Sequence, residues 1–328
     1  MLPGALYMQL HEATRIYIND PKSNVLKPGT KRNYACELGK LPQDQEVDTI
    51  TEKQLIDACL AVNVKGQRKG LRPADGTIYS RRKVYEAFFK YAMFMNWVKK
   101  DPALYLSRHV GAGRGQTIKK NNWLTHDEVT KILEAVDMDD IYGPRDNIFL
   151  RLGFTIGLRV SEIRTLRWSQ VNFDRREISL VGKGDKIAVV SITKNTYGYL
   201  MDLYGQAALA LGRPPKDEVV VPRIKQRGDY DPITGTWKHA RIWEVNYLGE
   251  PLSNTACGRI CMKYTKKTDI KFAPHDMRRT FAGLMFEKVD IYQLKEALRH
   301  TDVSTTEKYL QTRPDGAAQA VRDAGLDF

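Results

Sequence analysis

Four separated segments carry side chains able to do chemistry: GLRVSE at 157–162, GKGDK at 182–186, HDMRR at 275–279 and RHTDVSTTEKYL at 299–310. Their reactive groups are guanidiniums, ammoniums, imidazoles and one late phenol, Tyr309. A guanidinium grips an oxyanion through two parallel N–H donors, which an ammonium does not reproduce. Imidazoles move protons near neutral pH. A tyrosine with an ordinary pKa near 10 is ionised in only about one molecule in a thousand at pH 7, so it needs help before it can attack. None of the four segments clusters carboxylates as a two-metal site requires. Each segment is weak alone. His275 and Arg278 share a helix face at a spacing of three, but such pairs arise by chance. A lysine in a turn is usually solvated, and a late tyrosine is usually core or surface.

Order and spacing together are specific. G-L-R-x-S-E is followed by Lys183, 24 residues after Arg159, then by H-x-x-R, then by His300 nine residues before Tyr309. In these motifs the chain resembles the tyrosine recombinases, the phage integrases and their relatives, over nearly its full length. KPGTKRNY and TIYSRRKVYEAFFKYAMFMNWV look like the family's helical core-binding domain, and the chain from Trp123 onward looks like its catalytic domain. The resemblance implies a mainly α fold with a small β-sheet in the catalytic domain, arranged as a two-domain, C-shaped DNA clamp. Its expected parts are a SAM-like helical domain over 1–110, a linker over 111–122 and an α+β catalytic domain over 123–328.

It also implies roles. Arg159 and Arg278 are the paired phosphate-binding arginines, Lys183 the hairpin lysine, His275 and His300 the two histidines, and Tyr309 the nucleophile. Glu162 matches a supporting acidic position. The chemistry fits. Attack on a phosphodiester raises the charge on its non-bridging oxygens, and two preorganised guanidiniums stabilise it. His275 is the candidate base and Lys183 the candidate proton donor to the departing 5′ oxygen, while His300 is expected to donate to a phosphate oxygen. A 3′-phosphotyrosine retains the bond energy, so no cofactor and no metal are expected.

Two features depart from the family's pattern or compete with it. Arg299 stands where relatives usually have glycine, so the turn must accommodate a side chain. Lys186 rivals Lys183, although the interval from Arg159 favours Lys183. No small arm-binding domain is seen before the core-binding part, which suggests an enzyme acting on the crossover site alone. In the tail, 315–328, Ala317, Ala318, Val321, Ala324 and Leu326 can line one helix face. That face folds on its own core or, as in relatives, on a neighbouring subunit of a homotetramer on double-stranded DNA. Integration and excision of a phage or other mobile element, with a possible accessory directionality factor, is the first reading. Chromosome-dimer resolution is the second. A type IB topoisomerase-like enzyme and a non-catalytic DNA-binding protein are the other kinds.

The elements that must position these residues are legible in part. At 328 residues two domains are the natural prior. Net charge is +13 and the isoelectric point about 9.4, which attracts polyanions. An anionic membrane surface or a ribosome would satisfy the charge alone. Residues 1–117 hold 19 Lys and Arg against 11 Asp and Glu, so over half the excess lies in about a third of the chain. Helical spacing marks Gly29 to Leu38, opening with Lys31 and Arg32. It also marks Val84, Ala87, Phe88, Tyr91, Ala92, Met95 and Val98, preceded by Arg81, Arg82 and Lys83. These basic helix starts read either as solvated ends or as groups offered to DNA. Ser107 to Asn122 reads as a linker. Thr125 with Glu128 forms a capping-box pattern, and EISLV, GKGDK and IAVVSI read as a hairpin. A strand is expected at VVVP, inside a loop-rich stretch from Gly212 to Leu248. Cys257 and Cys261 lack further ligands for zinc and read as buried helix thiols. No apolar run reaches membrane-spanning length, and the start does not read as a secretory signal, so a cytoplasmic, DNA-associated protein is expected.

Overall fold

The computed structural model describes residues 8–23, 27–62, 70–110, 123–181, 187–224, 230–231, 236–237, 250–300, 302–303 and 306. The chain divides into two compact units, Met1–Thr117 and Ile118–Phe328.

Among its described residues the first unit is helical: α1 (Leu10–Asn19), α2 (Pro28–Leu38), α3 (Glu52–Leu60), α4 (Asp75–Phe94) and the short α5 (Leu106–His109). Helix α4 packs against the other four. Ile78, Tyr85, Phe88, Phe89 and Ala92, on one stripe at helical spacing, bury its inner face. Tyr17 of α1 meets Phe88 edge-on at 5.3 Å. Thr51 and Gln54 close a capping box at the start of α3. Helix α4 stops sooner than the apolar spacing suggests. Asn96 takes a left-handed φ of 56°, and Trp97 N donates to Ala92 O. This is the 6→1 bond of a Schellman turn, so Met95 and Val98 lie beyond the helix.

Among its described residues the second unit is mainly helical, with a small three-stranded sheet and a separate two-stranded one. It contains α6 (His126–Glu134), α7 (Gly143–Phe154), α8 (Val160–Thr165), β1 (Val171–Asn172), β2 (Glu177–Val181), β3 (Ile187–Ser191) and α9 (Lys194–Leu211). A two-residue pair follows, β4 (Tyr230–Asp231) with β5 (Thr236–Trp237), then α10 (Asn254–Thr268), α11 (Pro274–Phe286) and α12 (Ile291–Ala297). The expected capping box at Thr125 forms: Thr125 N donates to Glu128 Oε2 at 2.8 Å, and Glu128 N to Thr125 Oγ1 at 3.2 Å. The hairpin forms antiparallel, from Glu177 opposite Ser191 to Val181 opposite Ile187. Cys257 and Cys261 are buried in α10.

Helix α7 is the core of this unit and packs against α6, α9 and α11. Ile148, Phe149, Leu150 and Leu152 are fully buried on it. At Gly153 a Cβ would lie 2.8–2.9 Å from the Met277 side chain, so the missing side chain lets α11 approach. The strand expected at VVVP is not one. Val219 to Val221 are fully buried, and among the described residues the segment makes just two isolated bridges, Val219 to Arg167 and Pro222 to Pro251. Pro222 has no N–H to extend a ladder.

Candidate active site

The site forms where the start of α8, the start of α11 and the end of α12 meet. Gly157 makes the first turn of it. Its φ is +70°, and a Cβ there would overlap the Phe281 ring of α11, so only glycine fits. Arg159 follows directly and opens α8. Glu162, three residues on, accepts from Arg159 N at 2.7 Å and from Arg159 Nη1 at 2.8 Å. Helix α8 ends at Thr165 and is held to the segment that leads into α10. Arg164 donates to the Leu252 carbonyl and, at 2.9 Å, to Asn254 Oδ1 ahead of and within α10.

Helix α11 supplies Arg278, and its N1 proline is compatible with a helix start. Arg278 is only 1% exposed, whereas the Arg159 side chain is 43% exposed. The two guanidiniums therefore differ: Arg278 is enclosed by protein and Arg159 is open to solvent. Nη1 of Arg278 donates to Gly157 O at 2.5 Å, and Nη2 donates to Leu298 O. One buried side chain thus pins the turn before α8 to the last turn of α12. Loss of either contact strands a buried carbonyl. His275 is exposed, one turn before Arg278 on the same helix face.

Helix α12 ends in another Schellman turn. Arg299 N donates to Glu296 O at 2.8 Å, and His300 N to Lys295 O at 3.0 Å. The residue at the left-handed position is Arg299, with φ 54°. Glycine is the ordinary occupant because a Cβ there costs about 1–2 kcal/mol. The Arg299 side chain reaches Glu162, Nη2 to Oε2 at 2.7 Å. His300 turns inward, with Nε2 3.2 Å from Arg278 Nη2 and Nδ1 2.9 Å from Thr306 Oγ1.

Electrostatics fix the proton positions. Burial first, then the nearby guanidiniums of Arg278, Arg159 and Arg299, lower the His300 pKa to about 4, so the ring is neutral at pH 7. A guanidinium only donates, so Nε2 accepts from Arg278 and the ring proton sits on Nδ1, toward Thr306. In this geometry His300 supports Arg278 as an acceptor, which differs from the phosphate-donor role expected of it. The His275 pKa is lowered, although the residue reaches solvent, by partial desolvation of its ring and by Arg279, then by Arg278 and Arg159, with Asp276 opposing. Burial pushes Glu162 upward, but Arg299 and Arg159 override it and hold the carboxylate below its usual range.

Of the residues singled out in the sequence, Arg159, Glu162, Arg278 and His300 are thus joined by direct contacts or through one intermediate, with His275 alongside. Lys183, its rival Lys186, Tyr309 and the tail 315–328 lie outside the described residues. The sequence reading missed Arg299 as a member, the buried Thr306 beside His300, and the Gly157 carbonyl under Arg278. Among the described residues no three of His, Cys, Asp or Glu gather as a metal-binding group.

The basic residues expected to face DNA divide. Arg81 and Arg82 are buried, at 6% and 8% exposure, and this corrects the expectation that they are offered to phosphates. Arg81 Nη1 donates to Cys59 O and Ala61 O at 3.0 and 2.7 Å, holding the end of α3. Arg82 donates to Val110 O at 3.2 Å and pairs with Glu86. Lys83 is half-exposed beside Glu86, Arg32 is exposed and Lys31 half-buried. The signal was present: Arg81 stands three residues after Ile78 and four before Tyr85, on the core face.

The fold and the paired arginines define a class, and comparison gives the family. A model described as the phage integrase family matches residues 122–315, more than half of the chain. The chain belongs to the phage integrase family. Tyrosine recombinase XerD of Staphylococcus aureus is 28% identical over 263 residues, 79% of this chain and 77% of XerD. The Tn1549 transposon integrase, in complex with a circular intermediate DNA, has 19% identity and a TM-score of 0.61, covering 97% of this chain and 99% of that one. Lambda integrase matches as a dimer bound to a COC′ core site, with 18% identity, TM-score 0.61, and 94% and 97% of the two chains covered. It also matches as a tetramer bound to a Holliday junction, at 17% identity and TM-score 0.60, with 93% and 78% covered. These likenesses show the fold. With the family it makes the chain a tyrosine recombinase, an enzyme of site-specific DNA recombination.

Proposed function

We propose that Tyr309 is the nucleophile and that Arg159 and Arg278 hold the phosphate it attacks. In this reading the Tyr309 oxygen bonds to phosphorus, its proton passes to His275, and the 5′ oxygen departs with a proton from Lys183. His300 acts beside them by orienting Arg278. The lowered pKa of His275 keeps that ring neutral, and able to accept a proton, at pH 7. The observation that carries the reading is the meeting of Arg159 and Arg278 with Glu162 and His300 at one junction of three helices. Two guanidiniums fixed before substrate arrives need no reorganisation as charge develops on the phosphate.

At the level of the whole reaction, four copies exchange strands between two duplexes, in two steps, through a Holliday junction, with residues 315–328 linking neighbouring copies. Lambda integrase as a tetramer on such a junction supports that assembly. The structural likeness to integrases of a transposon and of lambda favours integration and excision of a mobile element as the role. The first unit, with its excess of positive charge, contributes to duplex binding. The test is a duplex nicked near the crossover, incubated with the chain and a chelator. A covalent protein–DNA adduct that vanishes in Tyr309→Phe is expected. No adduct from the unaltered chain would overturn the proposal.

A further inference from the structure

We propose that Arg299 is a positioning residue for strand cleavage: it clamps Glu162, and through Glu162 fixes the orientation in which Arg159 meets the phosphate. The inference rests on the reading of Arg159 as a phosphate ligand. Arg299 occupies a left-handed backbone position, φ 54°, at the C-terminal turn of α12, where any side chain is strained. The side chain is nevertheless 11% exposed and directed into the site. A residue held in strain and buried has a use for its side chain.

That use is visible in the contacts of Glu162. Its Oε2 accepts from Arg299 Nη2 at 2.7 Å and from Arg159 N at 2.7 Å, while Oε1 accepts from Arg159 Nη1 at 2.8 Å. The carboxylate is thus fixed from two sides and cannot rotate without breaking a charge-assisted bond. Without Arg299, Arg159 is the remaining partner of the carboxylate among the described residues, and the i, i+3 pair can swing together. The charge balance changes as well. Arg159 with Glu162 sums to zero, whereas Arg159, Glu162 and Arg299 sum to +1. Among the described residues Arg299 Nη1 reaches Ala297 O at 3.5 Å, and Nε is buried with no hydrogen-bond partner. The same turn serves both phosphate arginines, since Arg299 acts on Arg159 through Glu162 and the next residue, His300, contacts Arg278.

The experiment is a double-mutant cycle read by two quantities on the nicked duplex: adduct formation in a single turnover at saturating DNA, and DNA affinity. Arg299→Met should slow adduct formation by about tenfold while changing affinity less than about twofold, because many phosphate contacts share the binding. Arg299→Lys, which restores the charge, should recover most of the rate. Arg299→Gly, which relieves the backbone strain, should melt no lower than Arg299→Met yet cleave as slowly. In a Glu162→Gln background, Arg299→Met should add less than about a twofold further loss. Losses that multiply across the cycle, or an Arg299→Gly variant that cleaves at the unaltered rate, would overturn the inference. An unaltered chain that forms no adduct would instead overturn the reading of the site.

Discussion

At the scale of single residues, His300 carries the clearest consequence. It is buried and neutral, in contact with Arg278 and within the field of Arg159 and Arg299, with a pKa near 4 against about 6.5 when unfolded. A depressed histidine contributes stability that is present above the unfolded pKa and lost as pH falls toward the folded one. Between pH 6.5 and 4 the unfolded chain binds the extra proton, so unfolding becomes easier as acid is added. The effect is at most about 1.4 kcal/mol for each pH unit crossed. Chemical denaturation of the unaltered chain and of His300→Gln should therefore converge between pH 6.5 and 4.5. Curves that stay parallel through that window would contradict the placement. The sequence disclosed His300 as a candidate because of its interval from Tyr309. It did not disclose the direction of its hydrogen bonds, which depends on Arg278 and Thr306 arriving from two sides of the ring. Arg299 was legible only as a departure from glycine. Its partner, Glu162, lies far away in sequence, and nothing in local spacing joins them.

Elements were legible where a local pattern sufficed. The capping box at Thr125, the helix from Pro28 to Leu38 and the hairpin from Glu177 to Ser191 all rest on neighbours within a few residues. Element ends and faces were harder to read. Helix α4 stops at Phe94 because Asn96 adopts a left-handed turn, although apolar spacing continues to Val98. Arg81 and Arg82 read as DNA-facing because charge suggests solvent, yet their guanidiniums cap carbonyls inside the unit. VVVP has the composition of a strand but, among the described residues, makes only two isolated bridges, to Arg167 and to Pro251, and no ladder. The junction of α8 and α11 rests on Gly157, and this gives the prediction at this scale. Gly157→Ala places a Cβ against Phe281 and forces an alanine to φ +70°. A loss of more than about 2 kcal/mol is expected in urea unfolding, from the clash and the strained backbone together. Unchanged stability would mean that the close approach of the two helices is not what the glycine serves.

At the scale of the whole molecule, charge and chemistry come from different parts of the chain. Residues 1–117 hold over half the excess positive charge, while the arginine pair belongs to the second unit. Lys31, Arg32 and Lys83 are the candidates that remain for backbone contacts after burial removes Arg81 and Arg82. Alanine at all three should flatten the dependence of DNA affinity on salt by up to about three released counterions. Arg81→Ala should instead lower the melting temperature, because two carbonyls at the end of α3 lose their donor. A salt slope that moves with Arg81 and not with the three exposed positions would reverse this assignment. The central claim is that the recombinase attacks DNA with Tyr309. It is tested most directly by isolating the covalent adduct from a nicked duplex and identifying the linked residue by peptide mass spectrometry. The account predicts a 3′-phosphate carried on the peptide containing Tyr309, and no adduct from Tyr309→Phe. A phosphate found on any other residue, or an undiminished adduct in the phenylalanine variant, would contradict it.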